Sequence, residues 1–262
     1  MADVNLHNNR HFAWEFLRRN PLYHEHAYCY LSASCSKTHP HNWGLLRFED
    51  PDIPAPKADV FWSERACSSI LLASSAEPRS VDPIYSVAPD ENTFELSVYS
   101  DRNNRLHHLF KTVEGHFQII LLNTKSYMKG NVLLFHLPWF GTFQTHVETI
   151  RSFIAAVDKR RSGCSQSVAQ KPTIAIRNRQ LQLITLDGYL AGKSLREIAE
   201  SIYSPDIVAT EWSDPRQHMK DRLRKIIKRA VLRMNGGYLD FLRPPRDRVD
   251  AERYTTNGRN FC

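Results

Sequence analysis

The amino-acid sequence predicts an α+β protein, in which an N-terminal mixed domain with a small antiparallel sheet and flanking helices precedes an all-helical C-terminal domain. Apolar residues alternate along short segments between residues 94 and 137, which is typical of strands. Apolar residues recur every three or four positions between residues 173 and 243, which is typical of helices. A Ser/Gln/Gly-rich stretch at 162–172 has no apolar period and predicts a linker between the two domains.

The N-terminal domain, predicted over residues 1–161, begins with a short helix over 9–19 that Pro21 ends. Residues 23–56 are rich in His, Ser, Pro and aromatic side chains and predict extended, irregular chain. A 3.6-residue apolar period predicts a helix over 142–161. Between these segments lie the strands of the predicted sheet, at residues 94–99, 106–111, 116–122 and 132–137.

The C-terminal domain is predicted over residues 173–245, with a flexible tail at 246–262. Its first helix spans about 177–191, and Gly192 stands where a glycine ends a helix. The linker before it predicts that this domain folds on its own.

Two further helices follow in this domain. Ser194 and Glu197 have the spacing of a capping box, which predicts the start of a short helix. Asp214 and Pro215 predict the start of a long third helix, with Asp as N-cap and Pro at the first position, which ends at Gly236.

The net charge of +7 lies in one part of the chain. Residues 171–248 hold 16 basic and 9 acidic side chains, and the remainder is neutral. Within this part, residues 216–233 carry eight basic side chains against Asp221 alone, which is typical of a polyanion-binding surface. Apolar runs are far shorter than the about 20 residues that span a bilayer, and the N-terminus has no apolar signal region. We therefore expect a soluble cytoplasmic protein that binds no membrane.

A capped short helix followed by a long basic helix is the pattern of a helix-turn-helix unit, whose second helix enters the major groove of DNA. The candidate DNA-binding residues are the basic side chains of the third helix and one on the short helix: Arg216, Lys220, Arg222, Arg224, Lys225, Lys228, Arg229, Arg233 and Arg196. One feature departs from the pattern. The connection from Ser204 to Asp214 has eleven residues, whereas the usual turn has about 3–4.

Two segments resemble known regulator domains. The stretch from Arg177 through Leu190-Ala-Gly-Lys-Ser-Leu-Arg-Glu-Ile-Ala to Met234-Asn-Gly-Gly-Tyr238 resembles a domain of proteobacterial regulators. Its members include activators of excision and transfer of integrative and conjugative elements, and small antiactivators made of this domain alone. The strings Trp14–Tyr23, Asn42-Trp-Gly-Leu and Phe48–Trp62 are similar to the transcriptional regulator-like domain that precedes it in the activators. The resemblance implies a helix-turn-helix variant in transcription activation, and it supplies no catalytic residue.

Other kinds of site find little support in the sequence. Cys29, Cys35, His39 and His41 could ligate zinc, but their spacing fits neither usual ligand pair. The odd count of five cysteines, with no C-x-x-C, argues against a disulfide framework. His24 and His26 meet the same objection as zinc ligands. His107-His108 lacks a nucleophile or a carboxylate pair nearby in sequence. We expect no enzyme, no metal and no cofactor.

The sequence leaves three functions open. The first is a DNA-binding transcriptional activator with duplex DNA as its partner, contacting RNA polymerase or an antiactivator protein through other surfaces. The second is a protein-interaction module, an antiactivator or adaptor, whose basic helix docks on an acidic partner. The third is RNA binding, which charge alone does not separate from DNA binding, although aromatic ribonucleoprotein strings are lacking. The oligomeric state is not predicted.

Overall fold

The computed structural model is α+β, as the sequence predicts. It describes residues 8–33, 38–76, 94–112, 115–122, 132–138, 141–161, 172–213 and 217–243. The predicted linker, except Pro172, and the predicted tail lie outside these ranges. None of the helices in the described ranges is long and apolar enough to cross a membrane.

Two helices, not one, open the described chain. Helix α1 covers Asn9–Leu17 and helix α2 covers Pro21–Leu31. Pro21 was expected to end a helix, but it occupies the first turn of α2, where its missing N–H costs nothing. Asn20 caps α2 through its side-chain oxygen. The prediction of irregular chain over residues 23–56 was therefore wrong for residues 23–31.

The sheet has five strands: β1 Leu71–Ala76, β2 Glu95–Ser100, β3 Leu106–Lys111, β4 His116–Leu121 and β5 Val132–His136. Their order is β2-β3-β4-β1-β5. β1 pairs with β4 in parallel, and the other neighbours are antiparallel. The sheet is thus mixed, which corrects the prediction of a purely antiparallel sheet. β1 was missed because its Ala-Ser-Ser-Ala half has little strand propensity.

Helix α3, Phe143–Arg161, covers one face of the sheet and matches the predicted helix. Its Phe153 is fully buried and forms the centre of an aromatic cluster. Ring centroids lie 5.3–6.0 Å from it in Phe94, Phe110, Phe117 and Phe135. Such edge-on and offset pairs stabilise beyond their buried area, so this cluster fixes α3 on the sheet.

The C-terminal region contains four α-helices, not the predicted three. They are α4 Ile174–Leu190, α5 Leu195–Glu200, α6 Pro205–Trp212 and α7 His218–Met234. A 3₁₀ helix, Gly237–Phe241, follows α7. The additional helix, α6, fills the connection that was read as an overlong turn.

One hydrophobic core joins the N-terminal and C-terminal regions. Phe12 and Phe16 of α1 belong to the same buried cluster as Met234, Tyr238 and Phe241. The Phe241 ring lies 6.1 Å from that of Phe12 and 5.8 Å from that of Phe16. Helix α7 and the 3₁₀ helix therefore pack directly on α1. The boundary between the two domains stays a prediction.

A buried glycine lets α4 and α5 approach closely. A Cβ atom on Gly188 would lie 2.9 Å from Cγ1 of Ile198, which is 1% exposed and has no room to move. Gly→Ala within a helix normally stabilises by about 1 kcal/mol. Here we expect Gly188→Ala to destabilise by about 1–3 kcal/mol, because overpacking outweighs propensity. Urea unfolding measures the sign; a gain in stability would show that α4 and α5 are not in contact here.

Buried histidines predict sensitivity to acid. Burial lowers the pKa of His107, His108 and His146, and lowers that of His116 to about 3. Below pH 6.5, the ordinary pKa of histidine, these side chains become protonated in the unfolded chain but stay neutral in the folded one. The free energy of unfolding therefore falls as the pH falls. Each such histidine contributes a loss of about 1.4 kcal/mol per pH unit until its folded pKa is reached. Urea unfolding from pH 6.5 down to about 5 measures the slope, which His116→Gln should flatten.

Candidate nucleic-acid interface

The junction between α4 and α5 is built by local signals that the sequence predicts. Gly192 is left-handed, with φ +71°, and its N–H and that of Lys193 close the end of α4 on the carbonyls of Tyr189 and Gly188. Ser194 accepts from the Glu197 amide, and the Glu197 carboxylate accepts from the Ser194 amide. The predicted C-terminal glycine and capping box are both present, and they fix the angle between α4 and α5.

Helix α6 changes how the helix-turn-helix pattern is assigned. The turn from Ser201 to Ser204 between α5 and α6 has the usual length. However, α6 carries Asp206 and Glu211 and no basic side chain. A helix with this charge would repel phosphates, so turn length alone does not identify the DNA-reading helix. The basic side chains of α7 favour that helix as the DNA-reading one, although α6 separates it from α5 in the chain.

Helix α7 is amphipathic and rests on two separate cores. Met219 and Leu223, in its first half, pack against α5 and α6. Ala230 and Met234, in its second half, belong to the core shared with α1 and α4. The helix begins at His218, later than predicted; Asp214, Pro215 and Arg216 lie outside the described residues. Its seven remaining basic side chains surround this buried stripe.

The first basic row consists of Lys220, Arg224 and Lys228, spaced by four residues along α7. Arg224 is exposed and pairs with Asp221 at 2.9 Å, a surface ion pair that contributes little and can exchange for phosphate. Lys220 is half-buried, with Nζ 5.1 Å above the Trp212 ring of α6. Lys228 is exposed. Arg224 and Lys228 border a groove of about 530 Å³ between α7 and the start of α5.

Lys193 lines the same groove as Arg224 and Lys228 but was not among the predicted site residues. It is exposed and stands at the end of α4, just before the capping box. In the sequence it lies well before helix α7, which begins at His218, so the clustering of charge along the chain does not reveal it. The fold adds this fourth cation to the first basic row.

The second basic row consists of Arg222, Lys225 and Arg229, on the opposite flank of α7. All three are exposed, and they border a groove of about 380 Å³ shared with α4. The Arg222 guanidinium lies 5.8 Å above the Tyr203 ring. No residue in the described part of the chain pairs with Lys225 or Arg229. These cations are therefore available to an external anion.

The two remaining described site residues, Arg233 and Arg196, also have partners within the protein. The Arg233 guanidinium lies 4.9 Å above the Phe241 ring and donates to Gln182 at 2.6 Å. This placement gives Arg233 a role in packing α7 on α4 and α1. Arg196 is exposed on α5 and pairs with Glu200 at 3.0 Å. Such a surface pair contributes little and leaves Arg196 able to exchange Glu200 for an external anion.

The candidate sites set aside in the sequence are only partly described. Cys29 takes part in a disulfide, which corrects the expectation of unpaired cysteines and removes it as a thiolate ligand. Cys35 lies outside the described residues. His24 contacts the Arg18 carbonyl at 2.5 Å. His107 is buried 3.2 Å from an Asp101 oxygen, a contact with a carboxylate that sequence spacing did not suggest.

Comparison with known proteins gives a family match for the C-terminal region. Residues 136–243 match the model of a family described as T6SS, transcription factor, DNA-binding domain. The match covers helices α3 to α7 and the 3₁₀ helix. No curated protein matches the chain. The matched region contains both basic rows, so the C-terminal part of this chain is similar to the DNA-binding domain of T6SS transcription factors, which supports a DNA-binding regulator.

Proposed function

We propose that the protein is a transcriptional activator that reads duplex DNA through α7. The observation that carries the proposal is the pair of exposed basic rows on α7, which is held in place by two cores. Six of the predicted DNA-binding residues lie in these rows: Lys220, Arg222, Arg224, Lys225, Lys228 and Arg229. A helix with cations on both flanks can lie in the major groove while each flank meets a phosphate strand.

The two rows have different proposed tasks. The first row, with Lys193 beside it, adjoins the start of α5; in a helix-turn-helix unit this side faces the bases and the nearer strand. Arg224, about two turns into α7, can reach guanine edges with its planar fork. Lys225 and Arg229 of the second row meet the other phosphate strand and supply affinity without sequence preference. Arg196 adds a backbone contact from α5.

The proposed target genes of the regulator are supported by two different likenesses, and these point to different sets of genes. The resemblance of the chain favours genes of an integrative and conjugative element as targets, whereas the matched family is named for T6SS. We propose the N-terminal region as the surface that contacts RNA polymerase or an antiactivator protein. We propose no catalytic activity and no cofactor for the chain.

The experiment that tests the proposal is DNase footprinting of the full chain on its genomic neighbourhood, followed by anisotropy titration of the protected duplex. We expect a protected site, with affinity falling steeply with salt. Each phosphate contact contributes about −0.9 to the slope of log affinity against log salt. The genes beside the site distinguish the two target sets. Absence of any protected site, with equal affinity for all duplexes, would contradict a sequence-specific activator.

A second candidate function is docking on an acidic protein. It is favoured by the apolar lining of the groove beside the first row, which includes Tyr189, Ile227 and Val231. Leu232, 60% exposed, extends this lining to the surface. If this function holds, Leu232→Ser should release a protein partner and leave DNA affinity unchanged. Loss of DNA affinity in that variant would instead assign the groove to DNA.

A further inference from the structure

A third cavity, apart from the two grooves that border the basic rows, lies between loops of the N-terminal region and the segment that follows α7. Its volume is about 640 Å³, within the range of about 300–1,000 Å³ that small-molecule sites occupy. Its walls come from three loops of the N-terminal region and from the segment that follows α7. The polar side chains that line it include His41, Asn42, Glu64, Arg65, Arg105 and Arg243.

The lining carries three guanidinium groups against the single carboxylate of Glu64. The Arg105 guanidinium already forms ion pairs within the protein, at 2.6 Å to a Glu64 oxygen and 2.9 Å to an Asp101 oxygen. Although burial alone would raise the pKa of Asp101, hydrogen bonds from Arg105 and His107 lower it to about 2, so this carboxylate stays charged. The positive charge left over therefore belongs to Arg65 and Arg243.

Arg65 and Arg243 make no hydrogen bond or ion pair with any residue in the described ranges. Two unused planar guanidinium forks that border one cavity suit a ligand with two anionic groups, or one phosphate held from both sides. Neutral donors are present in Asn42 and Asn103. Part of the floor is apolar, with Leu239 among the lining, so the ligand has a nonpolar portion as well.

We propose that this cavity binds a small phosphate-bearing metabolite of about nucleotide size, held by Arg65 from the N-terminal region and Arg243 from the C-terminal segment. The ligand bridges two regions that already touch here. The Tyr238 hydroxyl donates to the Trp43 carbonyl at 3.0 Å, and the Ser68 amide donates to the Leu242 carbonyl at 3.0 Å. Because Arg243 follows the 3₁₀ helix at the end of α7, occupancy strengthens the packing of α7 on the N-terminal region.

The experiment is calorimetric titration of the full chain with pyrophosphate, AMP and citrate at constant ionic strength. We expect saturable one-site binding of pyrophosphate or AMP, together with a raised melting temperature. Arg65→Gln combined with Arg243→Gln should weaken that binding at least about tenfold, which corresponds to about 1.4 kcal/mol. The matched control, Arg151→Gln with Arg177→Gln, removes two exposed arginines that do not line the cavity and should bind as the parent does.

A second control separates this cavity from the basic helix. Lys225→Ala with Arg229→Ala should keep pyrophosphate and AMP affinity while changing DNA affinity, so this test stands or falls independently of the DNA-binding proposal. Circular dichroism verifies that each variant is folded. No saturable binding of any probe, or equal affinity in the parent and the cavity variant, would overturn the proposal. Binding of citrate alone would assign the cavity to polycarboxylates and overturn the phosphate assignment.

Discussion

Arg224→Ala combined with Lys228→Ala is expected to abolish discrimination between the protected duplex and a scrambled one. Both side chains are exposed in the first basic row, beside the start of α5. A base-reading arginine contributes about 1–3 kcal/mol of preference, which is a factor of roughly 5–150 in affinity. Because both positions are at the surface, the free energy of unfolding should change by no more than about 0.5 kcal/mol. Anisotropy titrations with both duplexes, beside urea unfolding, measure the two effects.

The second row offers a matched control on the same helix. Lys225→Ala with Arg229→Ala removes the same charge from equally exposed positions. If this flank meets phosphates only, it should weaken both duplexes alike and reduce the salt slope by roughly 2. If the first-row variant binds both duplexes as tightly as the parent, α7 is not the reading helix, and docking on an acidic protein becomes the better account.

Among the substitutions proposed here, Phe241→Ala should lower the free energy of unfolding most, by about 3–5 kcal/mol, as expected for truncating a buried phenylalanine. The ring is 8% exposed and is stacked on Phe16. Guanidinium groups of Arg179 and Arg233 lie 4.8 and 4.9 Å from its centroid. Truncation therefore removes apolar packing and two cation–π contacts at once. Because the ring contacts both α1 and the C-terminal helices, we expect both regions to lose stability in one transition.

Urea unfolding followed by circular dichroism and by tryptophan fluorescence measures this effect. Leu232→Ala, at a position 60% exposed, is the control and should change stability little. Proteolytic cleavage within residues 162–171 is a second test of whether the two regions share one core. A released C-terminal fragment that kept the full melting temperature would contradict a shared core and support two independent domains.

The features that sequence predicts here are those set by near neighbours. The capping box of Ser194 and Glu197 needs residues three apart, and the glycine end of α4 needs only Gly192. The apolar period of α7 identifies its buried stripe within one helix, with Leu223 and Ala230 at its centre. Such signals act within one or two helical turns, so they can be recognised in the sequence without knowledge of the fold.

The features that sequence did not predict depend on contacts between distant segments. Strand β1 is stabilised by pairing with β4 and β5, and its own Ser-rich half gives little sign of this. Lys193 joins Arg224 only because α5 packs beside α7. In the sequence Arg233 cannot be told apart from the other cations of the basic helix, yet its guanidinium lies over the Phe241 ring of the following segment. The sequence does not predict helix α6, because eight residues are too few to show a clear apolar period.

The most direct test of the central claim, that α7 binds DNA, is amide hydrogen exchange of the full chain with and without the footprinted duplex. Exchange follows the backbone of each element separately and needs no substitution. We predict that added protection concentrates at residues 217–234 and at the α4–α5 junction around Lys193, with the sheet strands unchanged. Protection confined to the sheet or to α2, with α7 exchanging as in the free protein, would contradict the claim.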